Sequence, residues 1–212
     1  MAASSKKSVK PKQFYEIETR GGTSHAWELV NGNRLQADHV GLLPKIEWPD
    51  GWRATTKGPW TLPKYLEPPK FRVDRKIAKK FKDYEGGWVS TRMKELIENI
   101  APGACLFERC EIEFDGGEPG PEFWLWSVNK VFQDAADVSK SKNVRLTEDG
   151  RYIFPNIVER YLFSFRNEVV SGEHLFRLVE YWIPTFCDDD FMKACTERKL
   201  TGIYFRKTGQ LI

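Results

Sequence analysis

Apolar and polar side chains first fall into a regular order at Phe14-Tyr15-Glu16-Ile17-Glu18-Thr19, whose alternation predicts a strand that Gly21-Gly22 ends. The period changes at Ser90. From there Met93, Leu96, Ile97 and Ile100 recur at helical spacing, Ser90 is a residue type that caps free backbone N–H groups, and Pro102-Gly103 stops the helix. Alternation returns over residues 106–114, with Leu106, Cys110, Ile112 and Phe114 expected inward and Arg109, Glu111 and Glu113 outward. Residues 115–121 form a turn. Residues 123–128 are nearly continuous in large apolar side chains, which predicts a strand covered on both faces.

Further short strands are expected over residues 152–154, 157–165 and 174–179, the last continuing through Tyr181-Trp182-Ile183 to a break at Pro184. A helix then starts with Asp188 as its cap. Asp189 and Asp190 occupy the first turn, where the helix dipole favours negative charge, and Arg198 and Lys199 occupy the opposite end. Phe191, Ala194 and Cys195 give this helix one narrow apolar stripe, so it is expected to lie on a sheet. Gly202 is expected to take the left-handed conformation that ends it, before a last strand at Ile203-Tyr204-Phe205. Val73, Ile77 and Phe81, four residues apart, predict a short basic helix over 73–81.

These elements amount to an α+β fold, a mainly antiparallel sheet with a few packed helices. Residues 27–69 interrupt the pattern. Pro44, Trp48, Pro49, Trp52, Pro59, Trp60, Pro63, Pro68 and Pro69 imply an irregular segment pinned by large aromatic area. Residues 1–12 are small, polar and basic, and a disordered tail is expected there. Residues 13–212 are then read as one domain, with a Trp/Pro-rich and basic part over 13–85 and a core over 86–212. No apolar run approaches the length of about 18 residues needed to span a bilayer, so membrane association is not expected and the cytoplasm is the expected location.

Charge changes this picture more than composition does. The net charge of +3 hides a basic stretch at 64–82, with eight Lys/Arg against two Asp/Glu, and an acidic remainder at 83–212, with 22 Asp/Glu against 16 Lys/Arg. The folded body is therefore expected to be acidic and to carry a basic arm. The basic stretch 70–82 also suits a nucleic-acid contact, a competing reading that the acidic body disfavours.

Reactive chemistry finds little support. The chain carries no GxSxG elbow, no P-loop and no GxGxxG opening a helix. Cys105, Cys110, Cys187 and Cys195 form no paired CxxC pattern, and three carboxylates follow Cys187 and oppose a thiolate there. His25, His39 and His174 lie far apart, so no metal or cofactor is expected. Asp134, Asp137 and Lys140 have the residue types of a metal-dependent nuclease, but their spacing fits a turn better.

That turn, Asp134 to Ser141, completes a set of motifs. The aromatic strand ending at Asn129, the Asp-x-x-Asp-x-x-x-Ser run, the strand His174-Leu175-Phe176-Arg177-Leu178 and the closing Leu200-Thr201-Gly202-Ile203-Tyr204-Phe205 follow the Ser90 helix in order. Over about residues 86–206 this pattern resembles immunity family eleven of the bacterial polymorphic-toxin systems. The resemblance implies a non-enzymatic cytoplasmic inhibitor that binds a cognate toxin delivered between competing bacteria, with type VI secretion as the expected route and a nuclease-type effector as the expected target. Candidate toxin contacts are Glu111, Glu113 and Asp115, then Asp188, Asp189 and Asp190, with Trp48, Trp52 and Trp60 as aromatic anchors.

Overall fold

The structure, a computed structural model, describes residues 11–20, 26–35, 65–156, 158–181 and 184–212. Trp48, Trp52 and Trp60 and most of the expected basic tail lie outside the described residues. In chain order the elements are β1 (Gln13–Thr19), β2 (Glu28–Leu29), β3 (Lys70–Val73), α1 (Arg75–Ala78), β4 (Trp88–Ser90), α2 (Thr91–Ile100), β5 (Cys105–Phe114), β6 (Phe123–Val128), β7 (Val131–Phe132), β8 (Arg145–Leu146), β9 (Tyr152–Ile153), β10 (Phe163–Phe165), α3 (Asn167–Val170), β11 (Leu175–Leu178), β12 (Thr185–Asp188), α4 (Asp189–Glu197) and β13 (Ile203–Leu211).

The strands build a six-stranded sheet in the order β10-β13-β1-β12-β11-β7, a five-stranded sheet in the order β2-β3-β5-β6-β4, and the pair β8-β9. Most pairings are antiparallel; among the described residues β10 with β13, β11 with β7, and β3 with β5 run parallel. The fold is α+β.

One core draws on both sheets. Ile17, Leu175 and Cys187 from the larger sheet meet Val89, Trp126 and Val128 from the smaller one, with Met93, Leu96 and Ile97 of α2 and Phe191 and Cys195 of α4 among them. Each fully buried aliphatic side chain of α2 contributes about 1.5–3 kcal/mol relative to exposure. Ser90 starts that helix as its sequence implies, its Oγ accepting from the Met93 N–H at 3.3 Å. The other face of the larger sheet carries a phenylalanine cluster of Phe14, Phe163, Phe165, Phe176 and Phe186. Gly209 of β13 sits against it, and a Cβ there would meet Phe165 Cε2 at 2.2 Å. The other face of the smaller sheet packs Trp27, Phe71, Val73, Cys110, Ile112, Phe123 and Leu125. β6 is thus covered on both faces, as its apolar run implies: Phe123 and Leu125 point one way, Trp126 and Val128 the other.

Several expectations are corrected. Val73 belongs to strand β3, buried beside Phe114, and the basic helix shrinks to the four residues of α1 behind an Asp74 cap. The strand expected over 157–165 is confined to β10. The left-handed residue at the end of α4 is Lys199 (φ 52°), whose N–H reaches the Thr196 carbonyl. Gly202 (φ 83°) answers a different demand, since a Cβ there would lie 2.3 Å from the Tyr84 carbonyl oxygen. On β5, Leu106 is only half-buried, whereas Cys105 and Phe107 pack on the core between the sheets. β12 and the extension of β13 to Leu211 were not anticipated.

Candidate functional site

Successive side chains of a strand point to opposite faces, so Cys105, Phe107, Arg109, Glu111 and Glu113 share one face of β5. The α2 helix covers only one end of that face, over Cys105 and Phe107. Beyond Phe107 the face is charged. In register, Lys70 of β3 lies opposite Glu111, Arg72 lies opposite Glu113, and Glu28 of β2 lies opposite Arg72.

The charges answer one another across the strands. Glu113 takes Lys70 Nζ at 2.6 Å and an Arg72 nitrogen at 3.8 Å, and Arg72 also approaches Glu28 at 3.6 Å. Arg109 donates from Nε to Glu122 at 2.8 Å, and Glu122 accepts from Thr91 at 3.0 Å. The Lys70 ammonium holds the Glu113 carboxyl below its ordinary range, and the Arg109 guanidinium does the same for Glu122. Both carboxylates therefore stay ionised to a lower pH than an ordinary glutamate. Between β5 and the loop over 117–122 lies a groove of about 290 Å³ lined by Lys70, Arg109, Glu111, Glu113 and Glu122 among others. Gly120 lets that loop approach, because a Cβ there would meet Ile112 Cγ2 at 2.5 Å. At the covered end, Lys94 Nζ lies 4.7 Å from the Trp124 ring centroid and 5.3 Å from that of Phe107, a cation–π shelf next to Arg109.

The expected residues separate here. Glu111 and Glu113 stand on this face, and Asp115 follows on the exposed turn after β5. Among the described residues the side chains of Glu111 and Asp115 have no hydrogen bond or ion pair. Arg109, Lys70 and Glu122 complete the groove; Lys70 was expected only within the basic stretch 70–82, and Glu122 was not singled out. The strand alternation that placed Glu111 outward already placed Arg109 beside it.

Asp188, Asp189 and Asp190 have other duties. Asp188 is fully buried; one oxygen accepts the Phe191 N–H at 2.9 Å, and the other takes Lys12 Nζ at 2.5 Å and His174 Nδ1 at 2.7 Å. Asp189 straps β1, accepting the Gln13 N–H and the Tyr15 hydroxyl, both at 2.9 Å. Only Asp190 is exposed, 3.8 Å from Lys193. Ligand-type atoms of His174, Asp188 and Asp190 lie within 4.8 Å of one another, but the Lys12 ammonium already supplies the positive charge at that point.

The thiols are not poised for attack. Burial pushes Cys110 and Cys195 up to about 12 and holds Cys105 and Cys187 well above their ordinary range.

The Immunity protein family (Imm11) model matches residues 12–210, nearly the whole chain. The chain belongs to this immunity protein family. The match takes in the N-terminal part, well beyond the stretch over 86–206 whose motifs carry the resemblance. No curated protein matches the chain. In the immunity protein the motif residues are structural. Asp137 and Ser141 tie their turn to β10, the Ser164 N–H donating to Ser141 Oγ at 2.9 Å. Thr201 donates its N–H and hydroxyl to Asp83, each at 2.9 Å, and Asp83 accepts the Ser90 hydroxyl at 2.8 Å. One buried carboxylate thus joins the start of α2 to the exit of α4.

Proposed function

We propose that this immunity protein neutralises a cognate antibacterial toxin in the cytoplasm of the producing cell by stoichiometric binding and without turnover, and that the charged half of the five-stranded sheet is the binding face. The observation that carries this reading is the contrast within that face. Most of its charges are paired, whereas among the described residues Glu111, which acts on Lys70 only from across the strands, and Asp115 form no hydrogen bond or ion pair. A face with spare carboxylates fits a cleft that binds phosphates, which favours a nuclease-type effector delivered by a competing bacterium, with type VI secretion as the route. A complex of ordinary inhibitor size would bury about 1,600 Å².

The test co-expresses the toxin domain encoded beside this chain with and without it. Rescued growth and a complex that survives gel filtration are expected; no rescue and no complex would remove the proposal.

A second reading, a nucleic-acid contact through residues 70–82, rests on the exposed Lys76, Lys79 and Lys80. Against it, Lys70, Arg72 and Arg75 already have carboxylate partners in Glu113, Glu28 and Glu118. It predicts RNA or DNA binding that weakens steeply with salt and is lost on charge reversal of those three lysines.

A further inference from the structure

The charges around the groove on the smaller sheet do not cancel. Lys70 and Arg109 line it against Glu111, Glu113 and Glu122, two cations against three carboxylates. Both cations are already held, Lys70 Nζ by Glu113 at 2.6 Å and Arg109 Nε by Glu122 at 2.8 Å. Charges just outside the groove balance one another: Arg72 stands between Glu28 at 3.6 Å and Glu113 at 3.8 Å, and Arg75 pairs with Glu118 at 3.0 Å. The surplus is Glu111. Its side chain is exposed and, among the described residues, forms no hydrogen bond or ion pair; it acts on Lys70 only from the neighbouring strand. Asp115 adds a further negative charge on the turn beyond the groove.

The opposite wall is poor in hydrogen-bond donors. Pro119 and Pro121 line it without an N–H, and the Gly117 and Gly120 N–H groups are spent on the Phe114 and Ile112 carbonyls at 2.8 and 2.7 Å. An anion would therefore enter against a surplus of carboxylate. A basic side chain would reach Glu111 with its head and lay its methylene stem along the proline rings, as long cationic side chains do on apolar surface. The size agrees. At about 290 Å³ the groove stands at the lower end of the roughly 300–1,000 Å³ of small-molecule pockets, room for one long side chain and not for a strand or a helix. Its walls are also set in advance: β5 is paired on both sides, by β3 and β6, and Glu122 is held by both Arg109 and Thr91. Little ordering is left for a partner to impose.

We infer that this groove is a receptor for a single basic side chain, arginine or lysine, of the toxin domain, with the stem against Pro119 and Pro121 and the charged head on the Glu111 carboxylate. This rests on the toxin-binding reading above and names the chemistry of the partner at that face. The two spare carboxylates then divide the work. Asp115, outside the groove, acts on encounter, whereas Glu111, paired directly with the inserted cation, also governs residence time.

Surface biosensing of the inactivated toxin domain encoded beside this chain, at two salt concentrations, tests the inference. Glu111→Gln keeps the shape and removes the charge; it is expected to raise Kd about tenfold, with dissociation faster as well as association slower, and to leave the melting temperature unchanged. Asp115→Asn is expected to slow association alone. Arg109→Gln frees Glu122 for the inserted cation and is expected to slow dissociation. When each toxin Arg and Lys is replaced by Ala in turn, one position is expected to be coupled to Glu111→Gln in a double-mutant cycle and the others to add independently. If the parent binds tightly and Glu111→Gln dissociates no faster, or its loss adds to that of every toxin cation, the inference falls and the toxin-binding reading stands; if the parent does not bind, both fall. Weaker binding by Arg109→Gln would give the groove to a toxin carboxylate held by that guanidinium and overturn the inference.

Discussion

Two runs of acidic side chains look alike on paper, Glu111, Glu113 and Asp115 at the end of one strand and Asp188, Asp189 and Asp190 at the end of another. In the fold they are opposites. The second run is spent inside the protein, with Asp188 fully buried under Lys12 and His174 and Asp189 fastened to β1. The first lies beyond the end of the sheet face that α2 covers, where, among the described residues, Glu113 is the one of the three that forms ion pairs. A carboxylate is available to a partner protein only when no nearer donor claims it. Distance along the chain gives no warning of such claims, since Gln13 and Asp189 lie 176 residues apart.

Substitutions sharpen this contrast, and the largest effect is expected at Asp188. Asp188→Ala removes the α4 cap and strands Lys12, costing about 3 kcal/mol or more in urea unfolding. An unchanged midpoint would mean that the second run is not structural. Asp189→Ala leaves the Gln13 N–H and the Tyr15 hydroxyl without their acceptor and should cost roughly 1–2 kcal/mol. The same bond has an alkaline signature. Burial and the Asp189 carboxylate push the Tyr15 phenol up to about 12 from its ordinary 10.0. The native state thus keeps a proton that the unfolded chain releases. The stability this provides is complete below the unfolded value and is lost as the pH rises through about 12. Unfolding measured across that window should show a shallower decline in Asp189→Asn than in the parent.

The smallest effect on stability belongs to the first run. Asp115→Lys, being exposed, and Glu111→Gln, which sets no like charge opposite Lys70, should stay within about 0.5 kcal/mol of the parent. Their effect should appear in toxin association, as a slower, salt-dependent on-rate. A loss of stability without a change in association would reverse the roles given to the two runs.

Much of the local structure was legible beforehand because its causes are local. Ser90 and Asp188 cap their helices from within a few residues, and the alternation of β5 and the unbroken apolar run of β6 state how many faces are covered. The candidate face was legible in part. Alternation put Arg109, Glu111 and Glu113 on one side of β5, but Lys70 and Arg72 reach that side only through a parallel pairing some 40 residues away in sequence. The misread stretches share a cause. The residues of β12 resemble the end of one element and the start of another, and they form a strand because β1 and β11 lie on either side. Val73 follows the period of a basic helix, yet it is buried as a strand residue beside Phe114.

What the chain determined by itself was therefore the set of elements whose capping groups and hydrophobic periods are complete within a dozen residues, and the surplus of acid after residue 82. Which acids remain free was a tertiary decision. A carboxylate is neutralised by whatever cation or N–H the fold brings within about 3 Å; Lys12 and Tyr15 arrive at Asp188 and Asp189 only once β1 has paired with β12, and His174 only once β11 has.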